Sequence, residues 1–441
     1  MRKLFHPKAV LALLVLFMGM ASWFAPGTAY DGDERGVEKS TRFTIAVIPD
    51  TQNYVDDTKK QPASTKSFLS QTAYLATHKN ALNLVFVTHL GDVVQHGDGT
   101  NGTPGDKSYG GQAEWDRALC AMKLLADADI PFGMSPGNHD YDNSSYTKGR
   151  NLPLTSKVMW NRYFGSRSWL FAFKSWYGGA SDQLAYDPGL SSFQIFDAGG
   201  KNFLHISLQM EASDGALAWA QGVIDAHPNY ATIITTHSYL SPPPVEHMEP
   251  PLAETAICNA AEYLTTSKSC TGGPDGTSPG GCNSAQQVWD KFISKNDQIF
   301  MVLCGHSWTP TVNGISQGEN IRIDSNNYGH PVYQVLSDYQ GYTIGADGLV
   351  DSDPGGGGWL RLLEFDMKAG TIHFRTYSPV LGKYAGLKGE STFGQPAAFS
   401  DFIEPMPIQV VKASSARPHD QLGPAEYQKI CPPELVPNNL H

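Results

Sequence analysis

Residues 84–92 read LVFVTHLGD, a run of apolar residues that ends in a Gly-Asp pair. An earlier run, residues 43–50, reads FTIAVIPD and also ends in an aspartate. Each run has the length and the β-branched content of a buried strand. Between them, apolar residues recur at helical spacing over residues 68–76. This strand–helix–strand alternation predicts a β-sheet covered by helices.

The same alternation continues along the chain. Further helices are predicted at residues 113–128, 216–226 and 285–295. Further strands, two of which form a β-hairpin, are predicted at residues 130–134, 193–196, 203–208, 232–236, 299–304, 332–337, 360–365 and 372–376.

Three regions interrupt this alternation. Residues 161–189 are aromatic and Gly-rich and are predicted to form an ordered surface loop. Residues 241–283, rich in Pro, Gly, Ser and Thr, form the longest insertion, and the chain is predicted to be irregular from Pro379 onward. Because no internal repeat and no clear linker divides the chain, we expect one large decorated domain.

The composition of the 441 residues limits the class of protein. Hydrophobic residues make up 41% of the chain and charged residues only 17%, which excludes an intrinsically disordered protein. The net charge of −11 provides no basic surface for a polyanion. Nucleic acid is therefore not an expected partner.

The N-terminal segment has the features of a signal peptide, residues 1–29. A short basic start precedes the almost continuously apolar residues 9–20, a run too short to span a bilayer comfortably. Small residues at Gly27 and Ala29 fit cleavage after Ala29. We therefore predict a secreted or periplasmic protein without a stable membrane anchor. Cleavage would remove three basic and no acidic residues, which changes the net charge from −11 to −14.

Export permits disulfide bonds among the six cysteines, and the sequence leaves their pairing open. Cys120 stands in a helical pattern and Cys304 ends an apolar run, so both are interpreted as buried thiols. The other cysteines are expected to pair within the long insertion or to tie down the Pro-rich tail: Cys258, Cys270, Cys282 and Cys431.

Polar side chains of the kinds that bind metals follow the ends of five predicted strands. They are Asp50 with Gln52, Asp92, the run Asn138-His139-Asp140, His237 and His306. Ligands bind at the carboxyl ends of the strands in such sheets, so these side chains are expected to meet in one region. Carboxylates together with neutral imidazoles suit Zn, Mn or Fe. A carboxylate that bridges two such ions supports a two-metal site for phosphoryl transfer.

The order of these motifs resembles that of the calcineurin-like metallophosphoesterases. That family carries Asp-x-His, Gly-Asp, Gly-Asn-His-Asp/Glu, a later His and Gly-His-x-His, in this order. The motifs of this chain are Asp50-Thr51-Gln52, Gly91-Asp92, Gly137-Asn138-His139-Asp140, His237 and Gly305-His306-Ser307-Trp308.

The resemblance spans residues 43–378 and has consequences for the fold. It implies an α/β (α+β) protein, a four-layer α/β/β/α sandwich of two mixed β-sheets flanked by helices, with the metal site at the carboxyl ends of the strands. The metallophosphoesterase domain would occupy residues 30–411. An irregular C-terminal tail, residues 412–441, would follow it.

The resemblance also implies a set of ligands for two divalent metal ions. Asp92 matches the carboxylate that bridges them. Asn138, His237 and His306 match the remaining ligands of one ion, and Asp50 matches a ligand of the other.

Two further residues match the family's catalytic positions. His139 matches a residue that contacts the scissile phosphate and protonates the leaving group, and Asp140 would position its imidazole. The reaction implied by the resemblance is attack of a metal-bound hydroxide on phosphorus.

Two positions depart from the family pattern, and both belong to the ion at Asp50. Gln52 replaces a histidine, and an amide oxygen suits harder ions better than zinc. Trp308 stands where the last histidine would be, and an indole offers only a donor. We therefore predict that the Asp50 site is weaker than the other site or selective for a different ion. The histidines left open as substitute ligands are His89, His96 and His330.

Functions of three classes are compared. The leading one is an exported, monomeric phosphoesterase that acts on a small-molecule or lipid phosphate ester, with residues 161–189 and 241–283 shaping the pocket. The depleted Asp50 site motivates the second, a binding or scaffold protein on a degenerate phosphoesterase fold. A serine hydrolase finds little support, because no Gly-x-Ser-x-Gly elbow is recognised. The intact His139-Asp140 pair favours an enzyme.

Overall fold

Two β-sheets form the centre of the protein. The computed structural model describes residues 41–56, 62–97, 112–140, 159–184, 189–242, 283–312, 315–340, 356–385 and 397–408. All of them belong to one compact unit, Lys39–His441. Three predicted segments lie outside the described residues: the signal peptide at residues 1–29, most of the insertion at residues 241–283 and the tail at residues 412–441.

The described residues form sixteen strands and seven α-helices. The strands are β1 (Arg42–Ile48), β2 (Leu84–His89), β3 (Phe132–Met134), β4 (Tyr177–Ala180), β5 (Ser192–Ala198), β6 (Lys201–Ser207), β7 (Ala231–Thr235), β8 (Ile299–Cys304), β9 (Thr309–Val312), β10 (Ile315–Gln317), β11 (Glu319–Ser325), β12 (Pro331–Ser337), β13 (Leu360–Asp366), β14 (Thr371–Ser378), β15 (Lys383–Tyr384) and β16 (Asp401–Pro405). The helices are α1 (Gln52–Val55), α2 (Pro62–Thr77), α3 (Gln112–Asp127), α4 (Met159–Phe164), α5 (Asp214–Ala226), α6 (Ala285–Lys291) and α7 (Ala397–Ser400).

Both sheets are mixed, as predicted. The first has the strand order β15-β14-β13-β1-β2-β3, with β16 paired to β14, and its strands β1, β2 and β3 run parallel. The second has the order β11-β12-β8-β7-β6-β5-β4, and its strands β6, β7, β8 and β12 run parallel. The carboxyl ends of the parallel strands therefore share one edge in each sheet.

The two sheets pack face to face through an aromatic core. Phe43 of β1 stacks on Phe365 of β13, with ring centroids 4.7 Å apart, and meets the edge of Phe203 of β6 at 5.5 Å. Burial of one such side chain contributes about 1.5–3 kcal/mol. Strands such as β8 are buried on both faces, which explains why their sequences are unbroken apolar runs rather than alternating ones.

Helices cover the outer face of each sheet. The helices α2, α3 and α4 pack on the first sheet, where Trp115 and Trp160 are buried. The helices α5 and α6 pack on the second sheet, and each begins at a serine that caps its first turn, Ser213 and Ser284. The order helix, sheet, sheet, helix confirms the predicted four-layer sandwich. None of the described helices has the length and apolar character needed to cross a membrane.

The predicted surface loop at residues 161–189 is wrong in part. This segment contains most of α4 and all of β4, and its residues Leu170, Phe171 and Trp176 are buried in the core beside the first sheet. The aromatic residues follow neither a helical nor a strand period, because they are buried by a winding backbone rather than by one regular element.

The region after Pro379 also has more structure than predicted. The strand β16 pairs with β14 from Thr371 opposite Pro405 to Arg375 opposite Asp401.

Two pentapeptides do read Gly-x-Ser-x-Gly, at residues 276–280 and 314–318, and the first lies outside the described residues. Ser316 of the second lies in β10, which pairs with β9, so it is not at the strand-to-helix turn of a nucleophile elbow.

The two described cysteines differ in state. Cys304 is a free buried thiol, as predicted. Cys120 keeps its predicted buried position on α3 but is disulfide-bonded, so the prediction of a thiol is wrong. Helical periodicity reveals which face of a helix is buried, but it does not reveal which distant segment lies against that face.

Candidate active site

Loops at the carboxyl ends of five strands bring the predicted site residues together. From the first sheet, Asp50 follows β1, Asp92 follows β2 and the 3₁₀ helix Asn138–Asp140 follows β3. From the second sheet, His237 follows β7 and His306 follows β8. This is the edge at which sheets of parallel strands bind their ligands.

His237 Nε2 is the centre of one group of ligand atoms. It lies 3.2 Å from Asp92 Oδ2 and 3.1 Å from Asn138 Oδ1. His306 Nδ1 lies 3.2 Å from the same nitrogen. Ligand atoms arranged tetrahedrally at about 2.1 Å from an ion are about 3.4 Å apart. These four side chains therefore fit a single shared metal ion.

The ring of His237 is held in the orientation that a ligand needs. Its Nδ1 donates a hydrogen bond to the carbonyl oxygen of Leu90 at 3.0 Å, and the ring is fully buried. This contact directs Nε2 at the other ligands, where the neutral form of the ring would offer its lone pair to an ion. Metal-binding histidines commonly donate their second ring nitrogen to a backbone carbonyl in this way.

The backbone is distorted where the ligands are attached. Asp92 and His306 have φ angles of 49° and 72°, in the left-handed region that residues with a side chain rarely adopt. A Cβ at Gly91, which has a φ of 109°, would lie 2.6 Å from His237 Nδ1. A Cβ at Gly137 would lie 2.2 Å from Asp92 Oδ1. Only glycine fits at these two positions.

Asp50 and Gln52 lie beside this group. The backbone N–H of His306 donates to both carboxylate oxygens of Asp50 at 3.3 Å, and Asp50 Oδ1 lies 3.5 Å from His237 Nδ1. Gln52 Nε2 donates to Asp92 Oδ2 at 3.2 Å. Its amide oxygen, Oε1, is buried and has no hydrogen-bond partner within the described residues. Asp50, Asp92 and Gln52 are thus the residues whose oxygen atoms could hold a second ion.

His139 is oriented by the chain on both sides of Asp92. Its backbone N–H donates to Asp92 Oδ1 at 2.9 Å. Its Nδ1 donates to the carbonyl oxygen of Gln95 at 3.1 Å, which leaves Nε2 for another partner. The residue that positions this imidazole is therefore Gln95, which the sequence did not indicate.

Asp140 has a different role from the predicted one. Its carboxylate accepts hydrogen bonds from the backbone N–H groups of Val93, Val94 and Gly137, at 2.8, 3.0 and 2.8 Å, rather than from the ring of His139. It joins the loops after β2 and β3 to each other. Burial, together with the charge of Asp92, raises the pKa of Asp140 to about 7.

The charges of the site are unbalanced. Burial and the carboxylate of Asp338 raise the pKa of Asp50 well above its usual value. Burial lowers the pKa of His237, but Asp92 and Asp50 outweigh that effect and raise this pKa to about 10. Burial and repulsion by His237 lower the pKa of His306 to about 3, so its ring is neutral, as a metal ligand must be. A bound cation would relieve this excess of buried negative charge.

The comparison with known families agrees with this geometry. A family model described as calcineurin-like phosphoesterase matches residues 43–310, more than half of the chain. The chain belongs to the calcineurin-like phosphoesterase family. The resemblance found in the motifs is thereby confirmed.

Individual relatives of this chain are distant. The uncharacterized protein YvnB of Bacillus subtilis (strain 168) is 24% identical over 363 residues, which cover 81% of this chain and 21% of YvnB. The chain therefore spans about a fifth of that relative's length. A dimetal phosphatase from Danio rerio is 12% identical, with a TM-score of 0.39 over 78% of this chain and 98% of the other. A purple acid phosphatase from yellow lupin (Lupinus luteus) is 12% identical, with a TM-score of 0.38 over 88% and 58%.

The chain departs from the family motif at Trp308. The indole is 39% exposed, and its nitrogen is a donor that offers no lone pair to an ion. Trp308 therefore does not replace the missing imidazole.

The three histidines left open as substitutes are engaged elsewhere. His89 accepts at Nδ1 from the Gly91 N–H at 3.2 Å and contacts Thr51 Oγ1 through Nε2 at 3.0 Å. His96 pairs with Glu114 at 2.8 Å, in a second group of potential ligands that also includes Asp56. His330 precedes β12 and pairs with Asp297 at 2.6 Å, so it lies at the opposite end of the strand from the site.

Two residues of the site were missed at the level of the sequence. Asp338 follows β12, is fully buried and accepts from Gln340 Nε2 at 2.9 Å, while Gln340 Oε1 accepts from Gln52 Nε2 at 2.6 Å. A usable signal existed, because Asp338 follows a predicted strand in the same way as Asp50 and Asp92.

Proposed function

We propose that this protein is an exported metallophosphoesterase that hydrolyses phosphate esters. The observation that carries the proposal is the convergence of Asp92, Asn138, His237 and His306 around one point, with Asp50 beside it. A phosphate ester is an anion, and a cleft of buried carboxylates would repel it. Substrate binding therefore requires cations that overcompensate these carboxylates.

The residues fit two divalent ions, which we propose to be Zn, Mn or Fe. Asp92, Asn138, His237 and His306 would hold one ion, and Asp50, Asp92 and Gln52 would hold the other. When bound, such a pair supplies positive charge to the phosphate oxygens and lowers the pKa of water. The Asp50 ion has no imidazole from the family motif, so we propose that its site is weaker or selective for a different ion.

The protein's own contribution to the reaction is the placement of His139. Its Nδ1 is held by the Gln95 carbonyl, so the proton that can move is the one on Nε2. We propose that Nε2 contacts the phosphate and donates this proton to the leaving oxygen. Asp140 contributes indirectly, because it holds the loop of His139 against the loop of Asp92.

The proposed location is outside the cytoplasm, secreted or periplasmic. The features of residues 1–29 support export, and so does the disulfide bond at Cys120, because disulfides form and persist in oxidising compartments. The net charge of −14 after cleavage disfavours nucleic acid as a substrate. We propose a small-molecule or lipid phosphate ester as the substrate and a monomer as the active form.

Hydrolysis of a panel of phosphomonoesters and phosphodiesters, with each metal supplied in turn, tests the proposal on protein that lacks residues 1–29. We expect Asp92→Asn to abolish hydrolysis and to lower metal content. We expect His139→Ala to lower kcat about 10²- to 10⁴-fold at unchanged metal content, because it removes only the acid. Lys291→Met, on an exposed surface pair, is the matched control.

The same panel distinguishes the competing function. Full activity of either variant would contradict the assigned roles. A wild-type protein that binds ions but hydrolyses no ester with any metal would favour the binding or scaffold protein, the alternative that the exposed Trp308 motivates.

A further inference from the structure

A chain of side-chain hydrogen bonds runs from Asp92 to Asp338 through two glutamines. Gln52 Nε2 donates to Asp92 Oδ2 at 3.2 Å and to Gln340 Oε1 at 2.6 Å. Gln340 Nε2 donates to Asp338 Oδ2 at 2.9 Å, and its backbone N–H donates to Asp338 Oδ1 at 3.0 Å. Asp92, Gln52 and Asp338 are each at most 2% exposed, and Gln340 is half-buried.

The carboxylate of Asp338 sets the direction of the hydrogen bonds in this chain. An ionised carboxylate only accepts, so Gln340 must turn its amide nitrogen toward Asp338 and its amide oxygen toward Gln52. Gln52 must then present its own nitrogen to Gln340. As a consequence, Gln52 Oε1 is the atom of the amide that neither Gln340 nor Asp92 contacts.

Gln52 Oε1 is the unusual atom of the site. It is buried, and within the described residues it accepts no hydrogen bond. A buried acceptor without a partner costs about 1–3 kcal/mol, and such groups are rare in folded proteins. It belongs to the same amide as the nitrogen that lies 3.2 Å from Asp92 Oδ2, an oxygen of the carboxylate that both ions would share.

The strand arrangement explains how Asp338 reaches this place. The strand β12 runs parallel to β8, with Leu336 opposite Cys304. Two residues beyond this pair, Asp338 and His306 leave their strands at the same edge of the sheet. Asp338 thus arrives beside the motif in which Trp308 replaces the last histidine.

We propose that Asp338 and Gln340 are positioning residues that present Gln52 Oε1 to the ion at Asp50, and that they make this an oxygen-only site that prefers Mn²⁺ to Zn²⁺. The inference rests on the proposed function in one respect, the presence of two ions in the cleft. Carboxylate and amide oxygens suit harder ions, whereas zinc is bound best where imidazole or thiolate is present. The direction of the hydrogen bonds from Gln52 to Asp338 thereby determines which metal ion this site prefers.

Calorimetric titration of chelator-treated protein with Zn²⁺ and with Mn²⁺ tests the proposal, and the electron paramagnetic resonance of bound Mn²⁺ reports its ligands. For the wild type we expect two binding steps, the second of which favours Mn²⁺. Gln340→Leu and Asp338→Asn should weaken the second Mn²⁺ step about 10- to 100-fold, as loss of an outer hydrogen bond commonly does. The first step should not change.

Two controls separate positioning from a merely structural role. Asp297→Asn removes a carboxylate near the other end of β12 and should alter neither step. In a Gln52→Ala background, Gln340→Leu should have no further effect on the second step, because the amide it positions is gone. Thermal unfolding measures whether each variant folds. Gln340 is only half-buried, so we expect Gln340→Leu to fold, and this variant remains informative if Asp338→Asn does not fold.

Several outcomes would overturn the inference. One is a second Mn²⁺ step that Gln340→Leu leaves unchanged, another is an equal preference for Zn²⁺ and Mn²⁺ there, and a third is a full effect of Gln340→Leu in the Gln52→Ala background. Failure of this inference can be distinguished from failure of the proposed function. A protein that shows the predicted metal steps but hydrolyses no ester contradicts the function alone, and an active protein with an insensitive second step contradicts this inference alone.

Discussion

The protein contains two clusters of buried charge that are built in opposite ways. In the first, Glu319 of β11 and Arg361 of β13 form an ion pair at 2.6 Å, and both are at most 1% exposed. Tyr339 and Thr376 donate to Glu319 Oε1 at 2.8 and 2.7 Å, and Ser400 donates to Oε2. One negative charge meets one positive charge here, and the pair joins the two sheets.

The metal cleft is the second cluster. Asp50, Asp92 and Asp338 are buried together, and His237 is the cation whose raised pKa partly balances them. Gln52 Oε1 has no hydrogen-bond partner within the part of the chain that the structure describes. The difference between the clusters shows how a fold treats buried charge. Where the chain supplies its own counter-charge, the cluster serves stability, and where it does not, the cluster is suited to bind an ion.

The largest effect is expected in the Glu319 cluster. Arg361→Met leaves Glu319 buried without its counter-charge, which should lower the free energy of unfolding by about 3–5 kcal/mol. Urea denaturation measures this loss, and it should be the same with and without metal ions. The exposed pair of Lys291 and Asp214 is the control, because Lys291→Met should cost at most about 1 kcal/mol. A loss that metal ions reverse would show that the two clusters are not independent.

Metal ions should have the next largest effect, and only through the cleft. Zn²⁺ or Mn²⁺ at about 100 times its dissociation constant should raise the free energy of unfolding by about 2.7 kcal/mol. His237→Ala should remove most of this gain, because it takes away the central nitrogen of the ligand group. Denaturation curves with chelator and with metal measure the gain. A gain that persists in His237→Ala would place the ion elsewhere.

The metal-free protein should lose stability as the pH rises from about 7 to about 9. Below this range, the raised pKa values of Asp338 and Asp140, about 6 and about 7, are opposed by the lowered pKa values, about 3, of the buried histidines His89, His205 and His306. Above it, His237, with its pKa raised to about 10, keeps a proton in the folded state that the unfolded state has released. We expect a loss of order 2 kcal/mol in denaturation with chelator. Saturating metal should flatten the dependence, and a metal-free stability that increases over this range would contradict the charge imbalance.

The smallest effect is expected from restoring the family residue. Trp308→His returns an imidazole to the motif after β8 and should tighten Zn²⁺ binding at the Asp50 site about tenfold, or about 1.4 kcal/mol. Calorimetry of the second Zn²⁺ step measures it. Trp308→Phe, which provides no ligand atom, should leave that step unchanged, and equal behaviour of the two variants would rule out this position as a source of ligands.

Much of the fold follows from local patterns. Strands β2, β8 and β12 lie within a residue or two of their predicted positions, because an unbroken apolar run is buried on both faces wherever it pairs. The sequence was less informative for residues 161–189, whose aromatic residues are buried without a regular period. The strands β9 and β10, which form a small sheet of their own, and the strands β11 and β16 were missed. Whether such short or edge segments become strands depends on which neighbour is present.

Residue type and order along the chain were sufficient to predict the residues that meet at the site, Asp50, Asp92, Asn138, His237 and His306. A ligand must sit at a strand end and offer the right atom, and both properties can be read locally. The partners of these residues depend on folding, because hydrogen bonds act over about 3 Å between atoms that are distant in sequence. Gln52 and Gln340 are 288 residues apart, and only the packing of two sheets connects the Gln52 amide to the carboxylate of Asp338 through Gln340.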